Sequence, residues 1–368
     1  MNTNNKLYYS MLYAIIGDII GFGNGQIEFN YGANMQVFSN NDALKLSNFT
    51  TKHIFDFINE GGYSAYKINN LIASDDSILS LAVFDAVKNT LNKTEEEVID
   101  TIKNKLVEYY SKDKLKAERH YGNRTILSLN RLINNEDWKK RAFSDKAGGC
   151  GASIRSMPIG LFYHGEENRN KLLKISIESS RITHNNPIGY LGGFASALFT
   201  ALAIEKVEPT KWIEILIKFF EDEIIQKFVI KMIGTKIKHE LKFHMREIQN
   251  FHSSLNKYYN WRFNNINKKS FASLSFRNFL FYKKFSDAQN YNPGGNGLDS
   301  ILMAYDSLLM AENNFEKLIY FSMLHAGDSD STGCIAGALF GAYYGNVNIP
   351  KNLTEIELQN QLDQLFNN

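Results

Sequence analysis

Cysteine is almost absent from this chain: two among 368 residues, Cys150 and Cys334, each set among glycines and small side chains. That is too few for the stapled framework of a small secreted domain, and no Cys/His spacing supports zinc. Free thiols are the expectation. Proline is scarce too, at five, and alternating runs bounded by hairpin turns are missing, which argues against a β architecture. Neither sign of charge dominates: 41 basic against 39 acidic residues give a net charge of +2, too weak a field to argue for nucleic acid. The longest weakly polar run, about 188–204, contains Gly, Ser and Thr and falls short of a membrane span, so it reads as a buried helix. The polar N-terminus lacks the charged-then-apolar layout of a secretory signal. A cytoplasmic protein without nucleic-acid or membrane partners is expected.

What the chain has is apolar bulk and glycine. Hydrophobic residues make up 44% and aromatics 13%, ample for a large core. A first buried helix is expected over 7–20, closing in the glycine loop 21–25, followed by an extended or irregular stretch from Gln26 to about Glu60. Further helices are expected over 78–90, 94–110, from Gly122, and over 171–180, 189–204 and 298–311. Thr94 with Glu97 three positions on makes a capping box. The charge run 112–119 is expected on the solvated surface. The lysine- and aromatic-rich stretch from Pro209 to about Asp287 reads as amphipathic helices without a candidate site, and a polar helix is expected after Pro350. The predicted fold is all-α, an orthogonal helical bundle forming a single domain over 1–368, with no solenoid repeat.

Two acidic helix openings carry the chemistry. In 324–345, His325-Ala326-Gly327-Asp328-Ser329-Asp330-Ser331-Thr332 precedes a helix of small and apolar residues. Capping needs one side-chain oxygen, and here two carboxylates and three hydroxyls are supplied. Ser74-Asp75-Asp76-Ser77 repeats the arrangement ahead of the apolar run 78–84. Carboxylates held there repel one another unless protonated or matched by a cation. Two such openings far apart in sequence point to one metal site built from both. Oxygen donors alone select hard ions such as Mg²⁺, Mn²⁺ or Ca²⁺. Four carboxylates suit two ions sharing a bridging aspartate. The glycine-dense stretch 148–155 either lets backbone N–H groups approach an anion or packs helices closely. The loop 21–25 is no P-loop, because it follows a helix and lacks the lysine.

These pieces share a resemblance. Ser74-Asp75-Asp76-Ser77, Gly148-Gly149-Cys150-Gly151-Ala152-Ser153-Ile154-Arg155, Glu178-Ser179-Ser180-Arg181-Ile182-Thr183-His184, Met303-Ala304-Tyr305-Asp306-Ser307-Leu308 and the Asp328 stretch resemble the ADP-ribosylglycohydrolase family. The match runs in order over about 7–345, with a variable helical region at about 205–289. It lies closest to the ADP-ribosylarginine hydrolases, relatives of the dinitrogenase-reductase-activating glycohydrolases. The resemblance implies an all-α bundle with two Mg²⁺ ions, Mn²⁺ as a substitute, and release of ADP-ribose from arginine-modified protein by a monomer. It implies that Ser74, Asp75 and Asp76 hold one ion and Asp328, Asp330 and Ser331 the other. Asp75, Asp76 and Glu28 become the catalytic candidates, Glu28 matching a mobile acid near the metals. Gly148, Gly149, Cys150, Gly151, Ala152, Ser153 and Arg155 would hold the pyrophosphate and distal ribose. Asn123 and His184 would contact ligand, and Gly294, Gly295 and Asn296 would sit at the adenosine side. The arginine-specific branch has a run of histidines where His184 is here followed by Asn185-Asn186. Hydrolysis of a serine- or acetyl-linked ADP-ribose, or a non-catalytic ADP-ribose-binding role, are the alternatives. A non-catalytic relative has lost metal-binding acids, whereas all four stand here.

Overall fold

Glycine at every fourth position decides the centre of the molecule. Between the first helix, Thr3–Phe22, and a late helix, Ser329–Tyr344, Gly17 meets Gly333, Gly21 meets Ser329, and Gly337 and Gly341 meet the backbone of Tyr13 and Tyr9. A methyl group on Gly21 would stand 2.2 Å from the Ser329 carbonyl oxygen, and one on Gly337 2.0 Å from that of Tyr13. Any side chain there would push the two backbones apart. Both helices are buried over most of their circumference, as core helices must be if they are apolar on all sides.

The structure is a computed structural model and describes residues 3–29, 42–234, 238–264, 284–285 and 293–367. In chain order the helices are α1 (Thr3–Phe22), α2 (Asp42–Asn59), the single turn α3 (Gly62–Ala65), α4 (Asp75–Lys88), α5 (Glu95–Lys112), α6 (Asn123–Ile133), α7 (Gly151–Arg155), α8 (Met157–Phe162) and α9 (Arg169–Arg181). They continue as α10 (Pro187–Ile204), α11 (Trp212–Glu221), α12 (Ile224–Ile233), α13 (Lys238–Tyr259), α14 (Asp299–Ala311), α15 (Phe315–Ser322), α16 (Ser329–Tyr344) and α17 (Gln359–Asn367). Among the described residues there is no strand, only an isolated bridge between Gly149 and Asn296. The all-α expectation holds.

α10 begins where Asn186 caps it, its side chain accepting from the Ile188 N–H at 2.9 Å, with Pro187 at the first helical position. It is long and apolar enough to cross a membrane, yet 94% of it is buried inside the protein against α7, α8, α9 and α16. The expected capping box of α5 forms, Glu97 accepting from the Thr94 N–H at 2.9 Å while Thr94 accepts from that of Glu97 at 3.4 Å. Both cysteines are free.

Two expectations are corrected. The stretch read as irregular to about Glu60 contains α2, with residues 30–41 outside the described set. Thr50, His53 and Phe57 are buried at helical spacing while Phe55 and Ile58 are exposed, so apolar residues on both faces hid the period. The charge run 112–119 does not end in solvent either. Arg119 is only 3% exposed, because Asp113 and Glu357 neutralise it inside the protein.

Candidate active site

The two acidic helix openings meet. α4 starts at Asp75 because Ser74, in extended backbone, accepts from the Asp76 N–H at 3.2 Å. Asp18 of α1 completes that end from behind: its carboxylate accepts from the N–H groups of Ser74 and Ser77, both at 3.0 Å, and from the Ser77 hydroxyl. The orphan donors of the first turn are thus met inside the core. Asp75 and Asp76 are left to face the cleft. Asp328 is the N-cap of α16, its N–H donating to the Pro293 carbonyl at 2.9 Å, and Asp330 lies within the first turn. Ser331 ties the two ends together by donating to Asp76 Oδ2 at 2.8 Å, and the Cys150 thiol donates to Asp328 Oδ2 at 3.2 Å. The glycine contact between α1 and α16 is what brings Asp18 up to Asp330.

Carboxylate oxygens of Glu28, Asp328 and Asp330 lie within 4.8 Å of one another. They share with Asp75, Asp76 and Ser331 one end of a cleft of about 520 Å³. Burial, and after it the charge of Asp330, pushes Glu28 up to about 11 and Asp18 up to about 7. The same two causes, in that order, hold Asp75, Asp76 and Asp328 well above the usual carboxylate range. So many acids cannot ionise together without a cation. Asp330 Oδ1 is buried and has no hydrogen-bond partner among the described residues, an acceptor that a cation would satisfy. The donors are all oxygens, so the site fits hard divalent ions.

The rest of the cleft wall combines the glycine loop (Gly149, Cys150, Gly151), Gly295, the start of α6 (Asn123, Arg124, Thr125) and His184. A methyl group on Gly151 would lie 3.2 Å from His184 Cε1 and 3.3 Å from Thr125 Oγ1, so only backbone is presented there. Cys150 N–H donates to the Gly295 carbonyl at 3.1 Å, and Gly297 N–H to that of Gly148 at 3.0 Å, which locks the two glycine loops together.

Seven of the residues expected at the ligand or metal do not line the cleft. Ser74 is fully buried behind Asp76 as its cap. Gly148 and Gly294 stand behind the wall, Gly294 with φ +90° and too close to Thr332 and Asp328 for a side chain. Asn296 is turned toward the start of α14, its side chain accepting from the Leu298 and Asp299 N–H groups. Ala152 and Ser153 are wholly buried, Ser153 donating to the Gly297 carbonyl. Arg155 turns inward and donates to the carbonyls of Gly151, Ser179 and Ser180 and, at 2.7 Å, to Thr183 Oγ1. Its effect passes through Thr183, whose hydroxyl lies 2.6 Å from His184 Nδ1. Thr183 thus links the Arg155 guanidinium to the His184 ring and fixes its orientation. Burial, then the Arg155 and Arg124 charges, hold this imidazole neutral, well below its ordinary value.

Sequence reasoning missed Asp18, His120 and Arg124. Asp18 had a signal: it is the one acid in the otherwise apolar span 7–22. His120 had none. Its φ is +56°, its Nδ1 lies 3.3 Å from Glu28 Oε2, and its ring stands edge-on to Phe22.

The family model described as ADP-ribosylglycohydrolase matches residues 2–367, wider than the motif span 7–345. The chain is 34% identical over 364 residues to L444 of Acanthamoeba polyphaga mimivirus, provisionally called an ADP-ribosyl glycohydrolase, covering 97% of this chain and 68% of that protein. It is 31% identical over 397 residues to the ADP-ribosylhydrolase ARH1 of Dictyostelium discoideum, covering 99% and 94%. Against the ADP-ribosylhydrolase ARH3 of Gallus gallus it is 25% identical over 302 residues, covering 75% and 71%. A solved structure titled an ADP-ribosylglycohydrolase-related protein complex shares the fold, with TM-score 0.57 and 15% identity over 99% of this chain and 96% of that one. With its carboxylate cleft and its full-length match, this chain belongs to the ADP-ribosylglycohydrolase family, hydrolases of ADP-ribose linkages.

Proposed function

We propose that the chain is a Mg²⁺-dependent hydrolase that removes ADP-ribose from modified arginine in proteins. The observation that carries this reading is the convergence of Glu28, Asp75, Asp76, Asp328 and Asp330 on one end of the cleft, with the Asp330 oxygen unpartnered. Asp75, Asp76, Asp328, Asp330 and Ser331 would hold two ions, for which Mn²⁺ can substitute. Bound there, the ions would supply positive charge for holding ribose hydroxyls and orienting an attacking water toward the anomeric carbon.

The chain's own groups do the rest. Cleavage of an N-glycosidic bond passes through an oxocarbenium-like state, so sugar and water must be held in register. Glu28, on the loop after α1, is placed to take the proton of that water. Backbone of Gly149 and Gly151, the neutral imidazole of His184 and the Arg124 guanidinium form a wall suited to pyrophosphate and distal ribose. The cleft thus pairs its carboxylates with the Arg124 guanidinium and glycine backbone, matching a ligand that joins a cation-bearing ribose to a diphosphate. Two divalent ions do not neutralise five carboxylates, and the remaining negative charge suits a guanidinium leaving group better than an alkoxide or a carboxylate. Asn185 and Asn186, standing where related sequences carry histidines, bond the Arg141 and Ser144 carbonyls and face away from the cleft. A single chain supplies every carboxylate, in keeping with a monomer, and two free thiols suit a reducing cytoplasm.

The test is ADP-ribose release from arginine-modified protein, serine-modified protein and O-acetyl-ADP-ribose, each with EDTA and with MgCl₂. Release from the arginine conjugate, abolished by EDTA, is expected. Faster release from either other substrate would move the assignment to that linkage, and no release from any would move it to a binding role.

A further inference from the structure

The turn that presents Asp75 and Asp76 is held at its outer end by the C-terminal segment. Ala73, one residue before Ser74, has both backbone groups engaged. Its N–H donates to Glu357 Oε2 at 2.9 Å, and its carbonyl accepts from Arg119 Nη1 at 2.6 Å. Those two side chains also meet fork to fork, Nη2 to Oε1 at 2.6 Å and Nη1 to Oε2 at 3.0 Å. Arg119 is 4% exposed and Glu357 24%, so this bidentate pair is poorly screened and geometrically exacting. Arg119 reaches further. Its carbonyl accepts from the Asp75 N–H at 3.1 Å, and its Nε meets Asp113 at 3.2 Å. Asp113 in turn accepts from the hydroxyl of Tyr121, a cleft-wall residue, at 2.9 Å. Glu357 is carried by a segment pinned through buried Leu353, Ile356, Leu358 and Leu362.

Resting on the metal-dependent reading of the cleft, we infer that Glu357 is a positioning residue for the Ser74–Asp76 turn. Acting through Ala73 and Arg119, it sets the backbone from which Asp75 and Asp76 reach a divalent ion. Without its carboxylate, the Ala73 N–H and the Arg119 guanidinium lose an acceptor. The turn then loosens where carboxylate spacing decides ion affinity. Groups one step behind metal ligands typically change affinity by about 10–100-fold.

The experiment compares the full chain with Glu357→Gln and Asp363→Asn. Glutamine keeps the shape and an acceptor for Ala73 but sets an amide against Arg119. Asp363→Asn likewise removes a carboxylate charge, on α17 where Tyr8 and Gln359 donate to it, without touching Arg119. Affinity for MgCl₂ and MnCl₂ is measured by titration calorimetry, beside the thermal midpoint and kcat on the arginine conjugate. Glu357→Gln should bind both ions about tenfold more weakly. Its kcat at saturating MgCl₂ should change by less than about threefold, because the ligands themselves remain. Asp363→Asn should keep wild-type ion affinity even where its midpoint falls. Wild-type affinity in Glu357→Gln overturns the inference and leaves the metal site standing. Equal weakening in both variants also overturns it, since the effect is then general loosening. A wild-type chain that binds neither ion brings down the reading of the cleft and the inference together.

Discussion

Asp330→Asn should stabilise the metal-free protein at neutral and higher pH while removing its response to Mg²⁺. After burial, the charge of Asp330 is the largest influence raising Asp18, Glu28, Asp75, Asp76 and Asp328. Acids whose folded values are raised hold protons that the unfolded chain releases. The folded state therefore loses stability as pH rises, from about 4 to about 7 for Asp18 and on to about 11 for Glu28. Carboxylates 4.8 Å apart repel by about 3 kcal/mol at an effective dielectric of about 20. The neighbours evade part of this by staying protonated, so a net gain of about 1–2 kcal/mol at about pH 8 is expected, roughly 2–6 °C in Tm. At about pH 5 most of the cluster is protonated in both proteins and the difference should vanish. The assay is thermal unfolding in EDTA across this pH range, repeated with excess MgCl₂. Wild type should gain about 2.7 kcal/mol at one hundred times its Kd, and Asp330→Asn far less. A variant less stable than wild type in EDTA at every pH would refute the electrostatic reasoning. A Mg²⁺ shift preserved in the variant would refute the placement of the ion.

Gly337→Ala should cost about 1–3 kcal/mol, since its methyl group would meet the Tyr13 carbonyl at 2.0 Å. It should also weaken the Mg²⁺-induced rise in Tm, because separating α1 from α16 parts Asp18 from Asp330; calorimetry reads both. Asp18→Ala leaves the Ser74 and Ser77 N–H groups buried without their acceptor. A loss of about 2–5 kcal/mol by denaturant unfolding is expected from two orphaned donors. His184→Ala should raise KM about tenfold with the fold intact, the loss of one ligand hydrogen bond. Arg155→Ala should instead lower Tm, because the guanidinium bonds four buried oxygens rather than ligand.

Much of this protein is legible residue by residue. The helical period is written in the apolar spacing of α5, unbroken apolar runs mark α4 and α10 as core helices, and Ser74, Thr94 and Asn186 mark their starts by local capping chemistry that needs no partner helix. The clustering of acids ahead of apolar helices identifies both halves of the carboxylate cluster, because such density is tolerable only when protons or a cation offset it. Tertiary structure decided which neighbours those halves would have. Asp18 and Asp330 meet only because two glycine stripes, more than 300 residues apart in places, allow backbone contact. No local pattern shows whether a glycine serves a phosphate or a helix crossing. Side-chain direction lay equally out of reach: Arg155 ends a glycine-dense stretch that looks made for anions, yet packing turns it to the Ser179 and Ser180 carbonyls and the Thr183 hydroxyl beside His184. Arg119 looked like the end of a solvated charge run, and Glu357, 238 positions away, draws it inside. Composition and spacing determine which elements form and what chemistry they carry. Only the folded chain, by placing distant charges within a few ångströms, decides which carboxylates face the cleft and which side chains merely hold it in shape.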